Sequence, residues 1–298
     1  MNISTNTVES PKARSRFALS GRSAHIDPRI DAARRDLADV RLADRVFAPH
    51  YAAPVAADVQ ARGPLFSGKN GDGEILSEVL DGERFDVLEI VGDWCWGISA
   101  ADKAVGYLPA SQLSAMSARP FIVTTPTAAI RSTRDAEAGS VGQLPMATRL
   151  PAPGADGWIE TATGFIAASD CEAVDSMRER DFVDVALSLV GIPHNVGGRS
   201  GAGVSSDGLV FLSLQMAGIR APRFRDQQAE LLGTQLGESA DAARGDLLFF
   251  ADHVAIAVEP GNAIHSDPSA GKVVRESLAE LTADSRFGPV VAKRRVAK

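Results

Sequence analysis

The chain has 298 residues, enough for two or three domains rather than one. Hydrophobic residues make up 45% and charged residues 23%, a balance that supports buried cores and excludes wholesale disorder. The formal net charge of −7 argues against a nucleic-acid binder and against electrostatic attraction to anionic membranes.

Residues 1–24 are polar and aperiodic and read as a disordered tail. They lack a basic start followed by an apolar run of signal-peptide length. No later stretch reaches ~18 consecutive apolar residues, so no membrane span is expected and the default location is the cytoplasm. Over residues 26–45, Leu37, Val40, Leu42 and Val46 suggest one apolar edge on short helical turns. Residues 1–50 thus read as a tail and a strap laid onto a later domain.

Residues 51–116 change to short strands between turn signals. Phe85, Val87 and Leu88 precede a Gly92-Asp93 turn, and Trp94-Cys95-Trp96-Gly97-Ile98 follows it. After a second turn near Asp102 comes Val105-Gly106-Tyr107-Leu108-Pro109. This is the texture of a small β-barrel. The phrase recurs in residues 117–173, where Gly157-Trp158-Ile159-Glu160 precedes Gly164-Phe165-Ile166-Ala167. The repeat resembles a pair of bacterial SH3-like domains. Trp94, Trp96 and Trp158 read as barrel filling ahead of a ligand-stacking platform. Cys95 and Cys171 read as small buried hydrophobes. A disulfide between them stays open, and neither has metal-ligand spacing.

Residues 174–298 mix helices with strands. Phe182, Val185, Ala186 and Leu189 have helical spacing, ended by Gly191 and Pro193. Four motifs then follow in order. They are Gly191-Ile192-Pro193-His194-Asn195-Val196-Gly197-Gly198, Gly203-Val204-Ser205-Ser206-Asp207-Gly208-Leu209-Val210, Ala221-Pro222-Arg223-Phe224-Arg225-Asp226-Gln227-Gln228, and Gly245-Asp246 with its flanking strands through His253 to His265. Ser205-Ser206-Asp207 opens an apolar run that Gly218 ends, which predicts a buried helix with a polar start. His253 and His265 flank the turn at Glu259-Pro260-Gly261-Asn262, so a hairpin brings them to one side of a sheet.

In order and spacing these motifs resemble the NlpC-type papain-like peptidases, with "G-x-P-Y-x-W-G-G", "G-x-D-C-S-G-L-V", "P-R-x-S-x-x-Q", "G-D-L-x-F-F", "H-V-G-I" and "I-H". The resemblance implies an α+β chain, a papain-like NlpC-type C-terminal domain preceded by two small SH3-like β-barrels. It places the nucleophile at Ser206, the general base at His253 and its orienting partner at His265. Substrate-contacting positions fall on His194, Ser205, Asp207 and Arg225. No metal and no cofactor are implied.

The sequence departs from the family at the chemistry itself. Ser206 replaces the cysteine, Ser205 the preceding aspartate that anchors a substrate amine, and Asp207 the following serine. His194 replaces a tyrosine, Val196 a tryptophan, and Arg225 the serine of "P-R-x-S". A thiol ionises near pKa ~8.5, whereas a serine hydroxyl needs a closely placed base and oxyanion hole. The expectation is therefore a catalytically impaired member that binds a cell-wall-derived peptide or a protein partner. One alternative is an active γ-D-glutamyl-diamino-acid endopeptidase using Ser206; another is a structural subunit of an active homologue. A purely structural reading stands beside these. Ser205, Ser206 and Asp207 are good helix caps, the histidines satisfied core groups, and Arg225 a solvated charge.

Overall fold

The computed structural model describes residues 25–296 apart from Arg178, Glu238, Asp284 and Ser285. The tail expected over residues 1–24 lies outside the described residues. The chain is α+β, rich in short antiparallel strands, with four α-helices among the described residues. No helix among the described residues is long and apolar enough to cross a membrane.

The strap holds a short parallel strand pair, Leu37–Asp39 with His50–Ala52, and a single 3₁₀ turn, Val40–Leu42. Leu37 packs toward the first barrel, but Val40 is 46% exposed, so the expected four-residue apolar edge does not form. The reason is periodic. A strand leading into a 3₁₀ turn does not keep the helical spacing that would hold Val40 on Leu37's face.

Seven antiparallel strands follow between Val55 and Ser114. Their order is Ile75–Val79, Gly63–Phe66, Val105–Pro109, Trp94–Ser99, Arg84–Val91, Val55–Val59 and Leu113–Ser114. Leu65, Val79, Phe85, Cys95 and Leu108 fill the core of this sheet. Residues 121–173 form a three-stranded and a four-stranded sheet around Val123, Ile130, Leu150, Ile159, Ile166 and Cys171. Cys95 and Cys171 are free and sit in these two separate cores. Trp96 is buried with the Arg34 guanidinium 4.3 Å above its ring, and Trp94 meets Phe66 edge-on. Trp158 is half-buried beside a shallow surface pocket.

The C-terminal region sets helices α1 (Phe182–Ser188) and α2 (Ser206–Met216) against a six-stranded antiparallel sheet. The sheet runs Thr234–Gln235, Val290–Arg295, Asp246–Phe250, Val254–Glu259, Asn262–Asp267 and Lys272–Ser277. Helix α2 is apolar on nearly every side because it is buried on nearly every side: Leu209 through Leu214 and Met216 are all covered. Its first turn presses on the Gly191–Gly198 loop so closely that a Cβ on Gly208 would lie 1.9 Å from the Gly198 carbonyl oxygen. Only glycine fits there.

The first barrel and this region share both core and charge. Phe224 leaves the C-terminal region to join the barrel's core cluster. In the other direction, Arg199 is completely buried. Its Nη1 donates to Glu83 Oε1 at 2.9 Å and its Nη2 to Glu83 Oε2 at 2.5 Å, while Nε stands 2.9 Å from Asp102 Oδ2. Its backbone N–H donates to Glu78 Oε1 at 3.1 Å. Burial pushes the Glu83 carboxyl up despite the pull of Arg199. Asp102 also feels burial, but Arg199 and Arg223 together hold it below the usual carboxylate range. Stranding such buried carboxylates is expensive. Arg199→Met is expected to lower unfolding stability by roughly 3–5 kcal/mol, read as a fall in the denaturant midpoint; a change within about 0.5 kcal/mol, typical of a surface site, would contradict this account.

Candidate active-site cleft

A cavity of about 700 Å³ opens where the first barrel, the strap and the C-terminal region meet. Ser205, Ser206, Asp207, His194, Arg225 and His253 all line it. His265 does not; it stands behind His253. The barrel supplies one wall through Glu74, Ile75 and Leu76, and the strap supplies Arg29. The barrel therefore borders the cleft, a placement sequence alone left open.

Ser205 is the N-cap of α2, in extended backbone, and its Oγ accepts the Gly208 N–H at 3.2 Å. Ser206 is the first helical residue, so its hydroxyl sits at the positive end of an 11-residue helix. Asp207 ties this turn together. Ser205 Oγ lies 2.5 Å from Asp207 Oδ1, which also accepts the Gly208 N–H at 2.9 Å. Asp207 Oδ2 stands 2.9 Å from Arg223 Nη1. Arg223 is itself buried, donating to Ser77 Oγ at 3.0 Å and to the Gly197 carbonyl at 2.8 Å. Gln228 donates from Nε2 to the carbonyls of Asp207 and Pro222, 3.0 Å each. The serine and aspartate that looked like two separate losses form one hydrogen-bonded unit on Arg223.

His253 precedes the strand Val254–Glu259 and His265 lies within Asn262–Asp267. Antiparallel pairing of the two strands brings the rings together, with His253 Nε2 2.9 Å from His265 Nδ1. The rings meet edge-on, at 87°. The Phe287 ring stacks on His253 at 4.0 Å between centroids and 18° between planes, which fixes the imidazole. His265 Nε2 in turn lies 2.9 Å from Glu276 Oε2. Since His265 occupies Nε2 of His253, the nitrogen left for the cleft is Nδ1.

His194 Nδ1 contacts Ser266 Oγ at 2.9 Å, and that hydroxyl donates to the Val204 carbonyl at 2.7 Å. The hydroxyl proton is thus spent, so His194 Nδ1 is the donor in this contact and a neutral His194 keeps its lone pair on Nε2. Arg225 opens helix α3 (Arg225–Leu231) and reaches Asp252 Oδ1 at 3.4 Å. Arg29 pairs with Asp27 and Asp226, and Arg286 with Asp267. Glu74 has no ion-pair partner among the described residues. Neither cysteine substitutes as a nucleophile: burial raises the Cys95 thiol, and burial with the Asp170 charge pushes Cys171 up to about 12.

Arg223 and Gln228 stood in the sequence within the third motif without a role assigned to them. Phe287, Glu276 and Glu74 carried no signal, because each reaches the site from a separate strand or loop.

Burial and the neighbouring His265 push His253 down to about 3, and burial also lowers His265 and His194. These rings are held neutral in the fold while their unfolded counterparts take protons below about pH 6.5. The contribution of His253 to stability is therefore full above about pH 6.5 and lost as pH falls toward about 3, and His265 and His194 act in the same direction. The limiting slope from His253 is about 1.4 kcal/mol per pH unit. Denaturant unfolding at pH 7.5 and 4.5 is expected to show this loss, and His253→Gln to reduce it; equal pH slopes in both proteins would refute the assignment to His253.

The family model described as NlpC/P60 matches residues 191–290, and that of the bacterial dipeptidyl-peptidase Sh3 domain matches residues 65–113. Among solved structures, an NlpC/P60 family protein from Bacillus cereus is 19% identical over 82% of this chain and 100% of its own, with a TM-score of 0.68, and shares the fold. The NlpC/p60 domain of the peptidoglycan hydrolase SagA is 31% identical over 33% of this chain and 87% of its own, with a TM-score of 0.30. RipD from Mycobacterium tuberculosis, described as a non-catalytic NlpC/p60 domain protein adapted to peptidoglycan binding, is 21% identical over 40% of this chain and 99% of its own, with a TM-score of 0.32. No curated protein matches the chain.

Proposed function

Because the chain belongs to the NlpC/P60 family of cell-wall hydrolases, we propose that it is a catalytically silenced member that holds a cell-wall-derived peptide in the cleft beside Ser206. The observation that carries this reading is a hydroxyl at the head of α2 in a site whose imidazole pair is otherwise complete. A thiol in that position starts near pKa ~8.5 and ionises far more readily than a serine hydroxyl, which needs a closely placed base and an oxyanion hole matched to its shorter bond. Binding asks less of the site. Glu74, a cleft carboxylate without an ion-pair partner among the described residues, suits a peptide's free amine, now that Ser205 stands at the amine-anchoring position. Arg225 suits a carboxylate on the same ligand.

The intact line of His253, His265 and Glu276 favours a second reading, in which Ser206 is still a slow nucleophile for γ-D-glutamyl-diamino-acid bonds. Cleavage of cell-wall tripeptide and tetrapeptide by the parent protein, Ser206→Ala and Ser206→Cys separates the two. The silenced reading expects no turnover by the parent or by Ser206→Ala, measurable turnover by Ser206→Cys, and peptide binding by all three. Hydrolysis by the parent that disappears in Ser206→Ala would overturn it in favour of the second.

A further inference from the structure

Glu276 closes the far end of the imidazole line. It lies on the strand Lys272–Ser277, whose register sets Val274 opposite His265 and Glu276 opposite Ala263. Glu276 is therefore diagonal to His265 on the same face of the sheet, and the small Ala263 offers it no competing polar partner. The two contacts in the line, Glu276 Oε2 to His265 Nε2 and His265 Nδ1 to His253 Nε2, are both 2.9 Å.

Geometry alone allows two opposite polarities. Either each ring is protonated on Nε2 or each is protonated on Nδ1, and in both cases one hydrogen bond joins the rings. The carboxylate removes the choice. An ionised carboxylate only accepts, so the proton at its contact belongs to His265 Nε2. A neutral His265 then carries its lone pair on Nδ1, and the proton between the rings must come from His253 Nε2. His253 is left with a lone pair on Nδ1, its cleft-side nitrogen.

We propose that Glu276 is a positioning residue that sets both imidazoles as Nε2–H tautomers, so that His253 presents a hydrogen-bond acceptor to whatever occupies the cleft. The role goes beyond the proposed function, since it holds for a silent binding cleft and for a working one. In the first the acceptor receives an N–H or O–H of the ligand. In the second it receives the nucleophile's proton, and a carboxylate behind the pair steadies the resulting positive charge. Stacking of Phe287 on His253 holds the ring plane, and Glu276 decides which nitrogen carries hydrogen. Other groups that bear on the pair are Asp267, Arg286, Arg225 and the neutral His194. None of these has a hydrogen bond to either ring among the described residues.

The test is nitrogen NMR on full-length protein labelled with ¹⁵N-histidine, near pH 7. The parent is expected to show His253 and His265 both protonated on Nε2. Glu276→Leu is expected to abolish the exclusive Nε2–H form of His265. A parent His253 protonated on Nδ1, or unchanged tautomers in Glu276→Leu, would overturn the proposal. Should Glu276→Leu fail to fold by circular dichroism, the near-isosteric Glu276→Gln decides. Loss of the negative charge is then expected to lower the His265 titration midpoint by about one pH unit, a tenfold change in proton affinity. A midpoint identical to the parent's would overturn the role.

Discussion

The structure hangs on two buried guanidinium groups. Arg199 belongs to the C-terminal region, yet its carboxylate partners Glu83, Asp102 and Glu78 all come from the first barrel. Arg223, 3.8 Å from Asp102, continues the chain of charge to Asp207 at the head of α2. Buried charges are tolerated only when they are paired with good geometry. The barrel and the C-terminal region are thus fixed to each other by groups that neither can leave bare. Because Asp207 ends this chain, the position of the helix that carries Ser206 depends on a barrel more than a hundred residues upstream.

That dependence changes how the replacements around Ser206 should be understood. Taken one by one, Ser205 and Asp207 are an anchor lost and a cap altered. In the fold the Asp207 carboxylate forms an ion pair with Arg223, and Ser205 is hydrogen-bonded to it as the helix cap. With both carboxylate oxygens engaged, Asp207 has little left to offer a ligand, whereas Glu74, on the barrel side of the cleft, has no ion-pair partner among the described residues.

Much of the fold class was readable because each region has its own period. Short runs of β-branched and aromatic residues between glycine turns mark the strands, and the single all-apolar run after Ser205-Ser206-Asp207 marks the buried helix. The histidine pair was readable because a hairpin turn lies between its members and a hairpin fixes register locally. What stayed hidden is what depends on distant register. Glu276 meets His265 only through the pairing of the next strand. Phe287 comes from the loop before the strand Val290–Arg295, and Glu83 lies 116 positions from Arg199. Val40 failed for the opposite reason: a helical period was assumed over a segment that changes from strand to 3₁₀ turn within six residues.

Phe224 occupies one more consequential place. It sits in the barrel's hydrophobic core, while its immediate neighbours Arg223 and Arg225 face the ion network and the cleft. Swinging the barrel away would pull an aromatic plug from one core and strip partners from Arg199 in the same stroke. Opening the cleft by moving the barrel would therefore break a hydrophobic core and strand buried charge together.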